Sequence, residues 1–289
     1  MTIATIDIGG TGIKFASLTP DGKILDKAST ATPETLEELL AWLDQRLSER
    51  DYRGIAMSVP GAVNQETGMI EGISAIPYIH GFSWYEVLAH HQLPIHLEND
   101  ANCVGLSELL AHPEIENAAC VVIGTGIGGA MIINGKLHRG RHGLGGEFGY
   151  MTTIEPAEKL NNWSQLASTG NMVRYVIEKS GQADWDGHKV YQEAAAGNVL
   201  CQEAIDRMNR NLAQGLLNIQ YLIDPDVISL GGSISQNPDF IKGVQEAVDT
   251  FVERYEEYTI APVIQACTYQ ADANLYGALV NWLQEENQW

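Results

Sequence analysis

Asp7-Ile8-Gly9-Gly10-Thr11-Gly12-Ile13-Lys14 is the stretch on which the fold turns. Alternating β-branched residues lead up to Ile8, so the segment entering it reads as a strand, and the glycines then supply the positive φ that a tight reversal requires. Ile13 to Leu18 resumes the strand pattern, Pro20-Asp21-Gly22 turns again, and Lys23 to Lys27 is extended once more. A glycine loop that leads into a strand is neither the dinucleotide fingerprint nor a P-loop, both of which need a helix after the loop. The N–H groups of such a turn still suit a phosphate, and Asp7 sets a carboxylate at the strand end beside them. Taken alone, the turn serves equally well as a plain hairpin.

The device recurs. Ala119 to Ile123 reads as a strand, Gly124-Thr125-Gly126-Ile127-Gly128-Gly129 as a turn, Ala130 to Ile133 as a strand, and Asn134-Gly135 as a second turn before Lys136. Helices and strands alternate after each meander. In the first half they are a helix from Glu34 to Arg50 opened by Pro33, a strand from Gly54 to Val59, a short helix from Trp84 to His91, a strand from Pro94 to Glu98 and a helix from Ala101 to Ala111. The second half has a helix from Val199 to Ile223, a strand from Val227 to Leu230, a helix from Pro238 to Arg254, a strand from Val263 to Thr268 and a last helix from Asp272 to Gln284. Two copies of one order predict an α/β protein with two related lobes and a central cleft, dividing near His112-Pro113. The expected lobes are residues 1–112, joined by the terminal helix 278–289, and residues 113–277.

Composition narrows the function. Across 289 residues, 17 Lys and Arg face 37 Asp and Glu, a net charge of −20. That is the wrong sign for a nucleic-acid binder. The longest weakly polar run, Ala118 to Ile133, is broken by glycines and too short to span a membrane. No basic segment precedes Asp7, so a cytoplasmic location is expected. Cys103, Cys120, Cys201 and Cys267 are scattered without a CxxC pair, which reads as small core residues rather than a disulfide framework or zinc knot. His138 and His142 share helical spacing but lie in no metalloprotease-like pattern, and read as loop residues.

Four further segments carry candidate chemistry. Glu98-Asn99-Asp100-Ala101-Asn102 spans a strand-to-helix junction, where Asn99 or Asp100 is a natural helix N-cap. The same position fixes a carboxylate at a strand end, where it can accept the proton of a sugar hydroxyl attacking a γ-phosphate. Asp100 fits that base, Asn99 the binding of neighbouring hydroxyls, and Asp7 the orientation of Mg²⁺ directly or through water. Gly231-Gly232 ends a strand at the edge where open α/β sheets place ligands. Ser58 to Val63, with Gly61 at its corner, and the glycine-dense loop Gly140 to Met151, with Glu147 as its acid, read as turns that can also present groups to a sugar.

Taken in order, DIGGTGIK (7–14), SVPGAV (58–63), ENDAN (98–102), GTGIGG (124–129), GGEFGYM (146–151), LGGSIS (230–235) and DANLYGA (272–278) resemble the ROK family of sugar kinases and sugar-responsive repressors across essentially the whole chain. The resemblance implies the actin-like ATPase (ribonuclease H-like) fold, a dimer, and ATP with Mg²⁺ as cofactors. Gly9, Gly10, Thr11, Lys14, Gly124, Thr125, Gly126, Gly231 and Gly232 would form the nucleotide site. Asp100 would be the base, with Gly61, Asn99 and Glu147 on the sugar. Repressors of the family carry a helix-turn-helix ahead of the first motif, and six residues precede Asp7 here, so a kinase is expected.

One departure bears on the substrate. Many members follow the GE-x-G motif with a histidine and a cysteine-rich zinc loop ending in a sugar-binding glutamate. Here Tyr150 replaces the histidine, no cysteine lies between Tyr150 and Ser168, and Ser164 aligns with the glutamate. No structural zinc is expected. With both groups changed, the space beside the anomeric carbon would accept a substituent, as in zinc-free members that resemble β-glucoside kinases acting on O6 of cellobiose-type sugars. Trp163 and Tyr150 would stack on the second ring. The other reading keeps Trp163 in the core and the substrate a free hexose such as glucose, or N-acetylmannosamine.

Overall fold

The computed structural model describes residues 1–72, 74–154, 160–255 and 257–289, which divide into two compact units. The first comprises Met1–Glu114, Arg139–Gly145 and Ala271–Trp289, and the second Ile115–His138 and Gly146–Gln270. The loop 139–145, assigned to the second lobe by the sequence reading, is thus part of the first unit.

In the first unit β1 (Ile3–Ile8), β2 (Gly12–Leu18) and β3 (Ile24–Ala31) form the antiparallel meander. There follow α1 (Leu36–Ser48), β4 (Ile55–Val59), the hairpin β5 (Ala62–Asn64) and β6 (Met69–Glu71), α2 (Trp84–Val87), β7 (Ile95–Asn99) and α3 (Asp100–Ala111). The sheet order is β3-β2-β1-β4-β7, with β4 parallel to both β1 and β7. Helix α1 is capped by Thr35, whose hydroxyl accepts the Glu38 N–H, so the polar cap rather than Pro33 sets its start. The predicted helix Trp84–His91 is shorter than expected: α2 ends at Val87 and a separate 3₁₀ turn covers Ala89–His91.

The second unit repeats the plan. Strands β8 (Ala118–Ile123), β9 (Ile127–Ile133) and β10 (Lys136–Leu137) form its meander, and after β11 (Thr152–Ile154) and β12 (Leu160–Asn162) come α4 (Trp163–Ala167), α5 (Thr169–Ser180), α6 (Gly187–Ala195) and α7 (Val199–Ile223). The strands β13 (Val227–Gly231) and β14 (Ile264–Ala266) flank α8 (Pro238–Arg254), and the sheet runs β10-β9-β8-β13-β14 with β13 parallel to β8 and β14. Matching orders in the two sheets realise the duplication legible in the glycine turns. Helix α9 (Ala273–Glu285) closes the chain within the first unit.

The central strands β1, β4, β8 and β13 are buried along almost their whole length, as parallel pairing between covering layers requires. In the first unit Ile6, Ile8, Phe15, Leu39, Leu43, Met57 and Trp84 fill one side, while Ile3, Leu18, Cys103, Leu279 and Trp282 fill the other, beneath α3 and α9. Gly277 lets those helices meet: a Cβ there would lie 1.7 Å from the Cys103 carbonyl oxygen. The second unit is built on Val121, Ile123, Leu212, Leu216, Leu230 and Phe240. All four cysteines are buried and none of them forms a disulfide. No helix among the described residues is long and apolar enough to cross a membrane.

Candidate active site

Parallel pairing of β1, β4 and β7 brings their carboxyl ends level. Asp7 is in register with Ser58, and Ser58 with Glu98, so the junction Asn99-Asp100 lies two strands from Asp7 on the same edge. Asp7 is 5% exposed and heavily engaged. Its Oδ2 accepts from Lys14 Nζ at 3.1 Å, and its Oδ1 from Asn274 Nδ2 at 2.8 Å and Ser58 Oγ at 3.4 Å. Lys14 also donates to the Ala271 carbonyl at 2.6 Å, which leaves one of its three donors. Within the turn, Gly9 donates to the Gly12 carbonyl at 3.1 Å, while Gly10 and Thr11 are exposed.

Asn99 does two jobs that the sequence reading set against each other. As N-cap of α3 its Oδ1 accepts the Asn102 N–H at 3.2 Å, and its Nδ2 donates to the Gly61 carbonyl and to Asp100 Oδ1, each at 3.1 Å. Both amide hydrogens are therefore spent on aligning Gly61 and Asp100, and one lone pair of Oδ1 remains for a ligand. Asp100, the first residue of α3, receives Asn99 and the Ala101 N–H (2.8 Å) on Oδ1 alone. Its Oδ2 accepts no hydrogen bond among the described residues. Burial pushes the Asp100 carboxyl above the ordinary aspartate value and the Asp7 carboxylate adds to it, against the opposing Ala101 N–H and Asn99. Gly61 holds φ +104°, and a Cβ there would sit 2.9 Å from the Glu71 carbonyl oxygen.

Sequence reasoning missed what supports this corner. Glu98, 2% exposed, takes the Asn99 N–H (2.8 Å), Asn102 Nδ2 (2.9 Å) and Arg139 Nε (2.6 Å). Arg139 also reaches Asn281 Oδ1 and Glu285 Oε1 at 2.7 and 3.0 Å. The ENDAN motif hinted at Glu98, but nothing near Arg139 in sequence announces its partner.

In the second unit, the turn after β8 is closed by Gly124 donating to the Gly126 carbonyl at 2.9 Å, with Thr125 and Gly126 exposed. Ser164 Oγ accepts the Ile127 N–H at 2.8 Å, and the Gly170 N–H donates to the Gly124 carbonyl at 3.2 Å, tying the start of α5 to the turn. Gly232, at φ +90°, packs where a Cβ would lie 2.1 Å from the Ile123 carbonyl oxygen. Beyond Gly231-Gly232 opens a cavity of about 440 Å³ lined by Thr169, Gly187, His188, Tyr191, Ser233, Ile234, Gln236 and Asn237. Thr169 Oγ1 and Tyr191 Oη are buried there without a hydrogen-bond partner among the described residues. Burial pushes the Tyr191 phenol well up, with Asp239 adding to the shift. No motif signalled these two hydroxyls.

Glu147 is half-buried, just before a 3₁₀ turn, Phe148–Tyr150, that packs on β9. Tyr150 is 71% exposed. Trp163 corrects the stacking expectation: it is 1% exposed, donates Nε1 to the Asn211 carbonyl at 2.7 Å, and rests against Gly215 of α7, so no face is open to a sugar. The aromatic ring satisfies the core of its own unit instead.

A family model described as ROK family matches residues 3–285. The chain belongs to the ROK family. Its sheets are those of the actin-like ATPase fold. A β-glucoside kinase of Listeria monocytogenes is 35% identical, covering 100% of this chain and 99% of its own, and one of Klebsiella pneumoniae is 31% identical, covering 98% and 97%. A crystal structure of a ROK family protein from Streptococcus pneumoniae TIGR4 in complex with sucrose is 87% identical with a TM-score of 0.98, each chain covered in full. This ROK protein is a sugar kinase, a phosphotransferase with an alcohol acceptor.

Proposed function

We propose that the protein transfers the γ-phosphoryl group of ATP to the 6-hydroxyl of a glucose unit carried in a β-glucoside such as cellobiose. The observation that carries the mechanism is the Asp100 carboxylate: Oδ1 is pinned by Asn99 and Ala101 while Oδ2 is unengaged. Oδ2 takes the proton of the sugar O6–H as O6 bonds to the γ-phosphorus and the bond from that phosphorus to the β–γ bridging oxygen breaks, releasing ADP. A carboxyl raised above its ordinary value is a better proton acceptor for an alcohol. Asn99 and Gly61 orient the acceptor sugar, and Glu147 binds a further hydroxyl.

In the first unit the N–H groups of Gly9, Gly10 and Thr11 are assigned to phosphate binding; in the second unit Gly124, Thr125 and Gly126, and the cavity beyond Gly231-Gly232, are assigned to the nucleotide. Thr169 and Tyr191 would supply the hydroxyls that meet the base or ribose. Asp7 fits Mg²⁺ in the outer shell: three of its roughly four lone-pair sites are already occupied, leaving one for a metal-bound water. When present, the ion offsets charge on the phosphates.

The β-glucoside preference rests on the changed pair beside the anomeric carbon. Ser164 Oγ is engaged by Ile127, and Tyr150 stands exposed where other members place a histidine. The two β-glucoside kinase relatives support the same reading, and the sucrose complex of the Streptococcus protein supports room for a substituted anomeric oxygen but not the β configuration, since the glucose of sucrose is α-linked. ADP release measured with glucose, N-acetylmannosamine, cellobiose and salicin tests it. A kcat/KM for cellobiose or salicin above that for glucose is expected, and the reverse order would assign a free-hexose kinase.

A further inference from the structure

We infer that Asp44, His90 and His91 form a binding site for one divalent transition-metal cation, on the first unit and apart from the residues assigned to catalysis. Asp44 projects from α1, and the two histidines end the 3₁₀ turn that follows α2. Asp44 Oδ1 lies 3.0 Å from His90 Nε2 and 2.8 Å from His91 Nε2, and one donor atom from each residue falls within 4.8 Å of the others. Ligands about 2.1 Å from a metal are separated by about 3.0 Å when they stand at right angles, as in tetragonal or octahedral sites, and by about 3.4 Å in a tetrahedral one. The observed spacings fall at the right-angle edge, a separation that an ordinary hydrogen bond shares.

The hydrogen bonding of His90 argues for a cation independently of that spacing. Its Nδ1 lies 3.1 Å from the Val87 carbonyl oxygen while Nε2 faces the Asp44 carboxylate. A neutral imidazole carries one N–H, so whichever tautomer forms, one of those contacts sets a lone pair against an oxygen lone pair. A proton on both nitrogens resolves the conflict, and so does a metal on Nε2. The second solution is the usual environment of a metal-bound histidine, whose other nitrogen donates to a backbone carbonyl. Two imidazoles and one carboxylate favour Zn²⁺, Ni²⁺ or Cu²⁺ over Mg²⁺ or Ca²⁺, which prefer oxygen. His90 and Asp44 are 56% and 45% exposed, so the ion would keep open positions to solvent while clamping α1 to the turn after α2.

Calorimetric titration of the chelator-stripped full-length protein with Zn²⁺ near neutral pH tests the site. About one ion per chain is expected, with affinity weakened roughly tenfold or more in Asp44→Asn and in His91→Ala, as loss of a ligand demands. Cu²⁺ electron paramagnetic resonance should show coupling to two nitrogens in the wild type and to one in His91→Ala. Circular dichroism of the two variants should match the wild type, since Asp44 is half-exposed and His91, though only 15% exposed, lies outside the buried core. Zn²⁺ binding that persists unchanged in both variants, or no saturable binding by the wild type, overturns the inference.

Discussion

Replacing Asp100 by Asn isolates proton acceptance from everything else that this side chain does. The amide oxygen can still receive the Ala101 N–H and Asn99 Nδ2, so the geometry around Gly61 and α3 should survive. What is lost is the carboxylate Oδ2, and a positioned general base contributes about 10²–10⁴-fold, or roughly 3–5.5 kcal/mol of barrier. The expected variant therefore has kcat reduced by about two to four orders of magnitude, with sugar affinity within about threefold of the wild type. Coupled ADP release gives the first quantity and calorimetry with cellobiose the second. Stability should move the opposite way. Asp100 has its folded-state value raised, so the folded state holds the proton more tightly than the unfolded chain, and stability contributed by the protonated form is lost as pH rises through that raised value. Above that raised value the charge at this partly buried corner is a liability that the neutral amide removes, and there Asp100→Asn should melt higher than the wild type. A variant with near-normal kcat would reduce Asp100 to the first residue of a helix and refute the base assignment.

The same raised carboxyl predicts that kcat/KM for the wild type falls on acidification at a pH above that of an ordinary aspartate, about 3.9; an acid limb at or below that value would contradict it. Arg139→Met should cost about 3–5 kcal/mol, because it strands the buried Glu98 charge, and denaturant unfolding will register the loss. Tyr191→Phe removes an unpartnered buried hydroxyl, so the ligand-free protein should gain stability while the KM for ATP rises several-fold and that for the sugar holds. An unchanged ATP KM would remove Tyr191 from the nucleotide pocket. Ser164→Glu restores a larger acidic side chain beside the Gly126 turn and should lower kcat/KM for cellobiose relative to glucose; equal effects on both sugars would count against the anomeric-space argument.

Much of the architecture was open to a reader of the chain alone because its determinants are local. Glycines at Gly9 to Gly12 and Gly124 to Gly129, each followed by a strand rather than a helix, encode two antiparallel meanders, and the observed sheet orders repeat accordingly. Asp7 was legible from the glycine turn that follows it, and Asp100 from the change from period two to helical spacing that marks where a strand hands over to a helix. Long-range packing decided the rest. Whether Trp163 faces a sugar or the core depends on Gly215, some fifty positions away, and the tertiary contact buries it. Arg139 meets Glu98, and Thr169 and Tyr191 share one cavity, only because separate elements pack there. Asn99 shows both levels in one side chain, a helix cap dictated by its place before α3 and a clamp on Gly61 that exists only once β4 and β7 lie side by side. Local backbone preferences choose the elements of this kinase, whereas the free energy of burying side chains and pairing buried polar groups chooses which residues meet.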